Sequence, residues 1–95
     1  MQFLISSKVR DKLKDPSHSV TEDEILQAFA NRSGNALQDN REKHKTNPPT
    51  NWFVSETDYG RKLKIMYILH ENSIVEIKSS YNATTEIQRI YAKYS

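Results

Sequence analysis

Apolar and polar residues alternate along the second half of the chain. In residues 61–69, charged and apolar side chains first alternate, and the run then becomes apolar on both faces. Residues 74–81 alternate again. A period of two is typical of a β-strand with one packed face and one face in water. The packed face is predicted to carry Leu63, Ile65, Tyr67, Leu69, Val75, Ile77 and Tyr81.

Two shorter segments complete the predicted sheet. Residues 52–56 are predicted to form a strand, and residues 57–60 a turn in which Gly60 supplies a positive φ. Residues 36–39 are predicted to form a short edge strand. Because the connections between the last three strands are short, these strands should form an antiparallel meander.

Helical spacing of apolar residues predicts a helix at each end of the chain. Ile5, Val9 and Leu13 are four residues apart, which predicts a short helix that ends before Pro16. A last helix begins near residue 82 and should pack on the sheet. Its apolar stripe consists of Ile87, Ile90, Tyr91 and Tyr94.

The second helix has a distinct start signal. Thr21 and Glu24 have the spacing of a capping box, and Val20 and Ile25 that of a hydrophobic staple. Gly34 is the predicted left-handed residue after its last turn. The chain is therefore predicted to be one α+β domain, residues 1–95. It has two N-terminal helices, a four-stranded, mainly antiparallel sheet and a C-terminal helix packed on that sheet.

Composition narrows the class of protein. Only 36% of the 95 residues are hydrophobic and the mean hydropathy is −0.80, so the core must be thin. The absence of cysteine excludes disulfides, and the three histidines lack metal-ligand spacing, so neither a metal nor another cofactor is expected. No apolar run approaches a membrane span and the start does not resemble a signal peptide, so the expectation is a soluble, cytoplasmic protein without membrane contact.

The net charge of +2 is unevenly distributed. The segments 1–34 and 65–95 are each balanced, whereas residues 41–64 carry an excess of basic side chains. Such a concentration suits a phosphate-bearing or acidic partner, although a solvated loop would have the same composition. The basic residues are Arg41, Lys43, Lys45, Arg61, Lys62 and Lys64.

Three groups of residues carry a resemblance to a known family. They are His18-x-Val20-Thr21 leading to Phe29, then Gly60-Arg61-x-Leu63-x-Ile65-x-Tyr67, and finally Ser79-Ser80-Tyr81-Asn82-Ala83-Thr84 with Arg89-Ile90-Tyr91. In this order and spacing, the chain resembles the BrnT-type toxins of bacterial toxin–antitoxin pairs, within the wider RelE-like group of small ribonucleases. It departs from them at Tyr81, where the family usually has arginine, in the loop at residues 41–51, and in lacking an N-terminal Trp-Asp segment.

The resemblance implies a RelE-like fold, RNA as the substrate and an antitoxin-like protein as a partner. Metal-independent RNA cleavage needs a base for the ribose 2′-hydroxyl, positive charge at the phosphate and an acid for the leaving oxygen. Arg61 and Lys78 are candidates for the charge. His44 or Glu56 is the candidate base, and Tyr81 is the candidate acid or a stacking platform.

RNA binding is assigned to the basic segment. Trp52 and Phe53 point to opposite faces of their strand, so one of them should lie outside the main core, where Trp52 could stack a base or cover the first helix. The other candidates are Arg41, Lys43, Lys45, Lys62 and Lys64.

Structural roles are the alternatives for these candidates. Arg61 could instead pair with Glu56 or Asp58 across the hairpin. Lys78 could be an ordinary exposed lysine and Tyr81 a core residue.

Three functional classes follow. The first is a toxin-type endoribonuclease, and the second is a non-catalytic module on the same fold that binds RNA or protein. The third, hydrolysis of ADP-ribose linkages, needs acidic residues clustered around magnesium, and Asp39 and Glu42 do not make such a set. The first two classes are separated by whether the basic groups converge on one concave site.

Overall fold

A five-stranded mixed sheet organises the computed structural model, which describes residues 2–41 and 45–95. The elements in chain order are β1 (Gln2–Leu4), α1 (Ser7–Lys14), α2 (Glu22–Asn31), β2 (Leu37–Gln38), β3 (Thr50–Glu56), β4 (Lys62–Leu69), β5 (Ile74–Asn82) and α3 (Thr85–Tyr94). The strand order is β1-β5-β4-β3-β2. The predicted α+β class, with two helices before the main strands and one after them, is confirmed.

The first strand, β1, was not predicted. It pairs in parallel with β5, with Phe3 opposite Val75, while the other neighbouring strands are antiparallel. Three residues are too few to show a period, and the partner strand lies seventy residues away along the chain. Ile5 precedes α1 instead of belonging to it, because Ser6 caps that helix by accepting a hydrogen bond from the Val9 amide.

The ends of α2 show one confirmed prediction and one wrong one. Thr21 and Glu24 form the predicted capping box, with the Glu24 amide donating to the Thr21 hydroxyl over 3.2 Å. The helix stops at Arg32, whose backbone is extended and whose guanidinium donates to the Phe29 carbonyl. Gly34 therefore does not provide a left-handed stop, whereas Gly60 has the predicted positive φ, 85°.

The face of the sheet toward α1 and α2 carries the main core. Phe53, which is 1% exposed, lies opposite Ile65, and the aromatic ring of Phe29 packs on it from α2. Trp52 accordingly lies on the other face, as expected for one of the two aromatic residues.

Leu69 is half exposed, contrary to prediction. Ile68 is buried on the opposite face, where Thr50 lies beside it in the register.

A β-bulge changes the phase of β5. Met66 pairs with Ser79 and the next residue, Tyr67, pairs with Ile77, so Lys78 is an extra residue without a partner in the register. Beyond the bulge, Ser80 replaces Tyr81 on the main-core face and is fully buried there. Tyr81 turns to the opposite face, so its predicted place on the packed face is wrong.

The helix α3 packs on that opposite face, here called the α3 face. Its Tyr91 ring contacts the Trp52 ring at a centroid distance of 5.7 Å, which confirms that the last helix lies on the sheet. Of the predicted stripe, Tyr91 is buried, whereas Ile90 and Tyr94 are exposed. The Tyr91 hydroxyl approaches Gly34 so closely that a Cβ there would collide with it. No helix of the described residues is long and apolar enough to span a membrane.

Candidate nucleic-acid interface

Beside α3, the α3 face forms a basic groove. It consists of two adjoining cavities of about 540 and 370 Å³, both lined by Asp39 and Arg41. Positive side chains reach it from α1, from the loop before β3, and from β4 and β5. These side chains are Lys12, Arg41, Lys45, Lys64 and Lys78.

Arg41 is held in place by Asp39. Its Nε donates to Asp39 Oδ1 over 2.9 Å and its Nη2 to Oδ2 over 2.8 Å, and the carboxylate is almost fully buried. The hydrogen bond with Asp39 raises the pKa of Arg41, to which the nearby Tyr81 also contributes. More than half of the Arg41 side chain is exposed, so a fixed guanidinium faces the groove.

Lys64 lies between two aromatic rings. Its Nζ is 4.6 Å from the centroid of the Trp52 ring and 5.8 Å from that of Tyr81. Both distances are typical of cation–π contacts, which orient an ammonium without neutralising it. Tyr81 is the register partner of Lys64, so the bulge brings the ring and the ammonium together.

Lys78 and Lys12 meet at the bulge. The Lys12 Nζ donates to the Lys78 carbonyl over 3.3 Å, which extends the groove to α1. The Lys78 Nζ lies 3.7 Å from a Glu76 oxygen, and the other Glu76 oxygen is 2.8 Å from His70 Nε2. Lys12 was missed in the sequence because only the packing of α1 on β5 shows which of its many cations approaches the sheet.

Tyr81 lies at the edge of the groove, with a further contact on its ring. The His18 ring meets it edge-on at a centroid distance of 5.7 Å. The His18 Nδ1 is 2.9 Å from the Ser17 hydroxyl. His18, which lies in the connection between the first two helices, therefore supports the Tyr81 ring.

Arg61 is engaged elsewhere. Its Nη1 donates to both Glu24 carboxylate oxygens, at 3.0 and 2.9 Å, and its Nε donates to Asn82 Oδ1 at 2.8 Å. Further hydrogen bonds reach the carbonyls of His18 and Ser19. Its partner is therefore Glu24, not Glu56 or Asp58, and it clamps the α1–α2 connection to the end of the sheet.

The pKa of Glu24 is affected by its contact with Arg61. Partial burial raises the pKa of Glu24, but the Thr21 amide and the Arg61 guanidinium outweigh it, and the net pKa is lowered. The carboxylate thus stays ionised and serves both the helix cap and Arg61.

Glu56 and Lys62 lie in another cleft. They face each other across β3 and β4 with 3.8 Å between Lys62 Nζ and Glu56 Oε1. This cleft, of about 660 Å³, is also lined by Asn31 and Gln88, and among the described residues it shares no lining residue with the basic groove. The structure does not bring these two candidates to the other basic residues.

Two further candidates, Lys43 and His44, lie outside the described residues, and their roles stay predictions. The groove nonetheless unites several of the predicted residues, namely Arg41, Lys45, Trp52, Lys64 and Lys78, with Tyr81 at its edge. Across residues 2–41 and 45–95, no group of three or more acidic, histidine or cysteine side chains could hold a metal ion.

Comparison with known proteins gives no family assignment. No model of a known protein family matches the chain, and no curated protein matches it. Function must therefore be inferred from the chemistry of the basic groove.

Proposed function

We propose that this protein binds RNA in the basic groove and cleaves it as a metal-independent endoribonuclease of the toxin type that its sequence resembles. The observation that supports this proposal is the convergence of five cations and the Trp52 ring on one concave surface, with the Tyr81 ring against one of these cations. Scattered surface charge would not define a path for a strand. The resemblance also implies an antitoxin-like protein as an inhibiting partner.

The binding step uses charge and geometry together. Arg41, fixed by Asp39, offers a planar guanidinium to a phosphate, and Lys64 offers an ammonium fixed by two rings. Lys12 and Lys78 continue the positive surface along β5. Phosphates bound along this line release counterions, which makes RNA binding sensitive to salt.

The proposed cleavage step is an intramolecular transesterification of the RNA strand. The 2′-oxygen forms a bond to the adjacent phosphorus as the bond to the 5′-oxygen breaks, which leaves a 2′,3′-cyclic phosphate and a 5′-hydroxyl. Lys64 and Lys78 would stabilise the extra negative charge on the phosphorus oxygens. Tyr81 is the proposed donor of a proton to the 5′-oxygen, and His44 the proposed acceptor of the 2′-proton.

One observation favours the alternative, a non-catalytic RNA-binding module. The carboxylate that lines the groove, Asp39, is bound through both oxygens by Arg41. No histidine from the described ranges lines the groove. The base for cleavage therefore rests on His44, and without it the groove would bind RNA and leave it intact.

The proposal is tested with labelled single-stranded RNA in the presence of a metal chelator. The wild-type protein should bind and cleave it, and the Lys64→Ala/Lys78→Ala variant should lose both properties. Lys62→Ala removes a cation of the same strand outside the groove and should match the wild type. Binding without cleavage would establish the non-catalytic module, and equal loss in Lys62→Ala would contradict a site in the groove.

A cellular experiment addresses the toxin class. Induced expression of the wild-type protein in a bacterium should arrest growth and degrade total RNA, and Lys64→Ala/Lys78→Ala should relieve both effects. Normal growth with intact RNA, from folded protein, would argue against a toxin.

A further inference from the structure

A second groove opens beside the basic groove, between α3 and the strands β2 and β3. It encloses about 330 Å³ and is here called the aromatic groove. Its lining consists of Leu37, Gln38, Asn40, Trp52, Ile90 and Tyr94. Gln38, Asn40, Trp52 and Ile90 also line the larger cavity of the basic groove, so the two grooves are continuous.

The aromatic groove exposes apolar surface. Tyr94 is 63% exposed and Ile90 is 41% exposed, although both belong to the apolar stripe of α3. Trp52, which lines the same groove, is half-buried. A flat apolar group inserted here would cover this surface and meet the faces of aromatic rings. The exposed amides of Gln38 and Asn40 can donate and accept hydrogen bonds at its edge.

Continuity with the basic groove identifies the chemistry of the occupant. Lys64 lies over the Trp52 ring, so the wall of the aromatic groove directly adjoins the cation proposed to bind phosphate. A ligand that occupies both grooves needs a planar, partly polar ring attached to an anion. A nucleotide within a strand satisfies this description, and the ordinary apolar side chains of a protein partner do not supply the anion.

We infer that the aromatic groove binds an unpaired nucleobase of the strand whose phosphates lie in the basic groove. This inference rests on the proposed RNA binding and deepens it, since it makes single-stranded RNA the ligand. A base in a duplex is paired and stacked, and it cannot enter the groove unless it leaves the helix. Stacking on aromatic side chains is tolerant of sequence, so the groove selects for strandedness more strongly than for base identity.

Trp52 offers a direct probe because it is the only tryptophan in the chain. Its fluorescence is measured during titration with a single-stranded RNA oligonucleotide, an abasic oligonucleotide of equal length and charge, and the duplex. Single-stranded RNA should quench the fluorescence and bind at least about tenfold more tightly than the abasic strand or the duplex.

Tyr94→Ala removes one wall of the groove and leaves the probe. It should weaken binding of the RNA oligonucleotide about tenfold and leave the affinity for the abasic strand unchanged. The matched control is Tyr59→Ala, because Tyr59 is 94% exposed in the β3–β4 turn, away from both grooves.

These experiments distinguish a failure of the proposed nucleobase site from a failure of the proposed RNA binding. Equal affinity for RNA and the abasic strand would overturn the nucleobase site while phosphate binding in the basic groove stands. Unchanged RNA affinity in Tyr94→Ala would also overturn it and leave a protein as the remaining occupant of the aromatic groove. Absence of binding by either strand would overturn the proposed RNA binding itself.

Discussion

Lys64 and Tyr81 lie opposite each other on β4 and β5, on the face of the sheet that carries α3, with the ammonium 5.8 Å from the ring centroid. They meet because Lys78 is an extra residue in β5. Without this bulge, the alternation from Ile77 would place Tyr81 on the main-core face. The bulge thus converts a strand end into part of a cationic and aromatic surface.

The salt dependence of RNA binding should show whether Lys64 contacts a phosphate. The slope of log affinity for single-stranded RNA against log salt should become shallower by about 0.7 in Lys64→Ala, because one phosphate contact is lost. Fluorescence anisotropy of a labelled RNA at several salt concentrations measures this slope. Lys62→Ala should keep the wild-type slope, and a shallower slope in that control would place RNA outside the basic groove.

Arg61→Ala should lower the stability of the protein. The side chain is about one-quarter exposed and donates to Glu24, Asn82 and two backbone carbonyls. Its loss should reduce the free energy of unfolding by about 2 kcal/mol, since charged hydrogen bonds are broken in a partly buried site. Urea unfolding measures this loss. A variant of unchanged stability would show that the clamp is dispensable and would restore Arg61 as a candidate for the phosphate.

Acid should weaken the same clamp. The pKa of Glu24 lies below its ordinary value of 4.5 in the folded protein. A lowered carboxylate pKa contributes stability at higher pH that is lost as the pH falls through the folded value. The free energy of unfolding should therefore fall below about pH 4.5.

The contribution of Glu24 can be separated from that of other carboxylates. Glu24→Gln cannot ionise, so its stability should fall less steeply with acid than that of the wild type. Parallel pH profiles for the two proteins would contradict the assignment to Glu24.

Gly34→Ala should destabilise the packing of α3. The added Cβ would collide with the Tyr91 hydroxyl, and overpacking of this kind costs about 1–3 kcal/mol. The backbone φ of Gly34 is not positive, so contact with the ring and not backbone strain is the cause. Thermal unfolding measures the effect, and adding Tyr91→Phe should recover part of the loss. No recovery in the double variant would argue against the hydroxyl as the obstacle.

Two local signals in the sequence predicted local structure correctly. Thr21 and Glu24 carry their capping box within four residues, and Gly60 marks its turn by itself. Long-range relationships were not predictable in this way. The pairing of β1 with β5 and the approach of Lys12 to Lys78 both depend on residues more than sixty positions apart.

The candidate site shows the same difference between local signals and long-range contacts. The excess of basic residues before and within β4 includes Arg41, Lys45 and Lys64, which line the groove, but also Lys62, which lies in the other cleft. Tyr81 was assigned to the wrong face because an alternating pattern has the same appearance whether or not a bulge interrupts it. Arg61 directly follows a turn glycine, a position that favours a site residue. Its side chain instead binds Glu24, thirty-seven positions earlier in the chain.

The parallel pairing of Gln2–Leu4 with Ile74–Glu76 also orders events during folding. β1 precedes the other strands of the sheet in the chain, yet β5, its neighbour in the sheet, follows all of them. Antiparallel hairpins between consecutive strands close small loops and form early, whereas a contact across about seventy residues closes a large one and forms late. β1, the first strand of this sheet in the chain, is thus expected to be the last to join it.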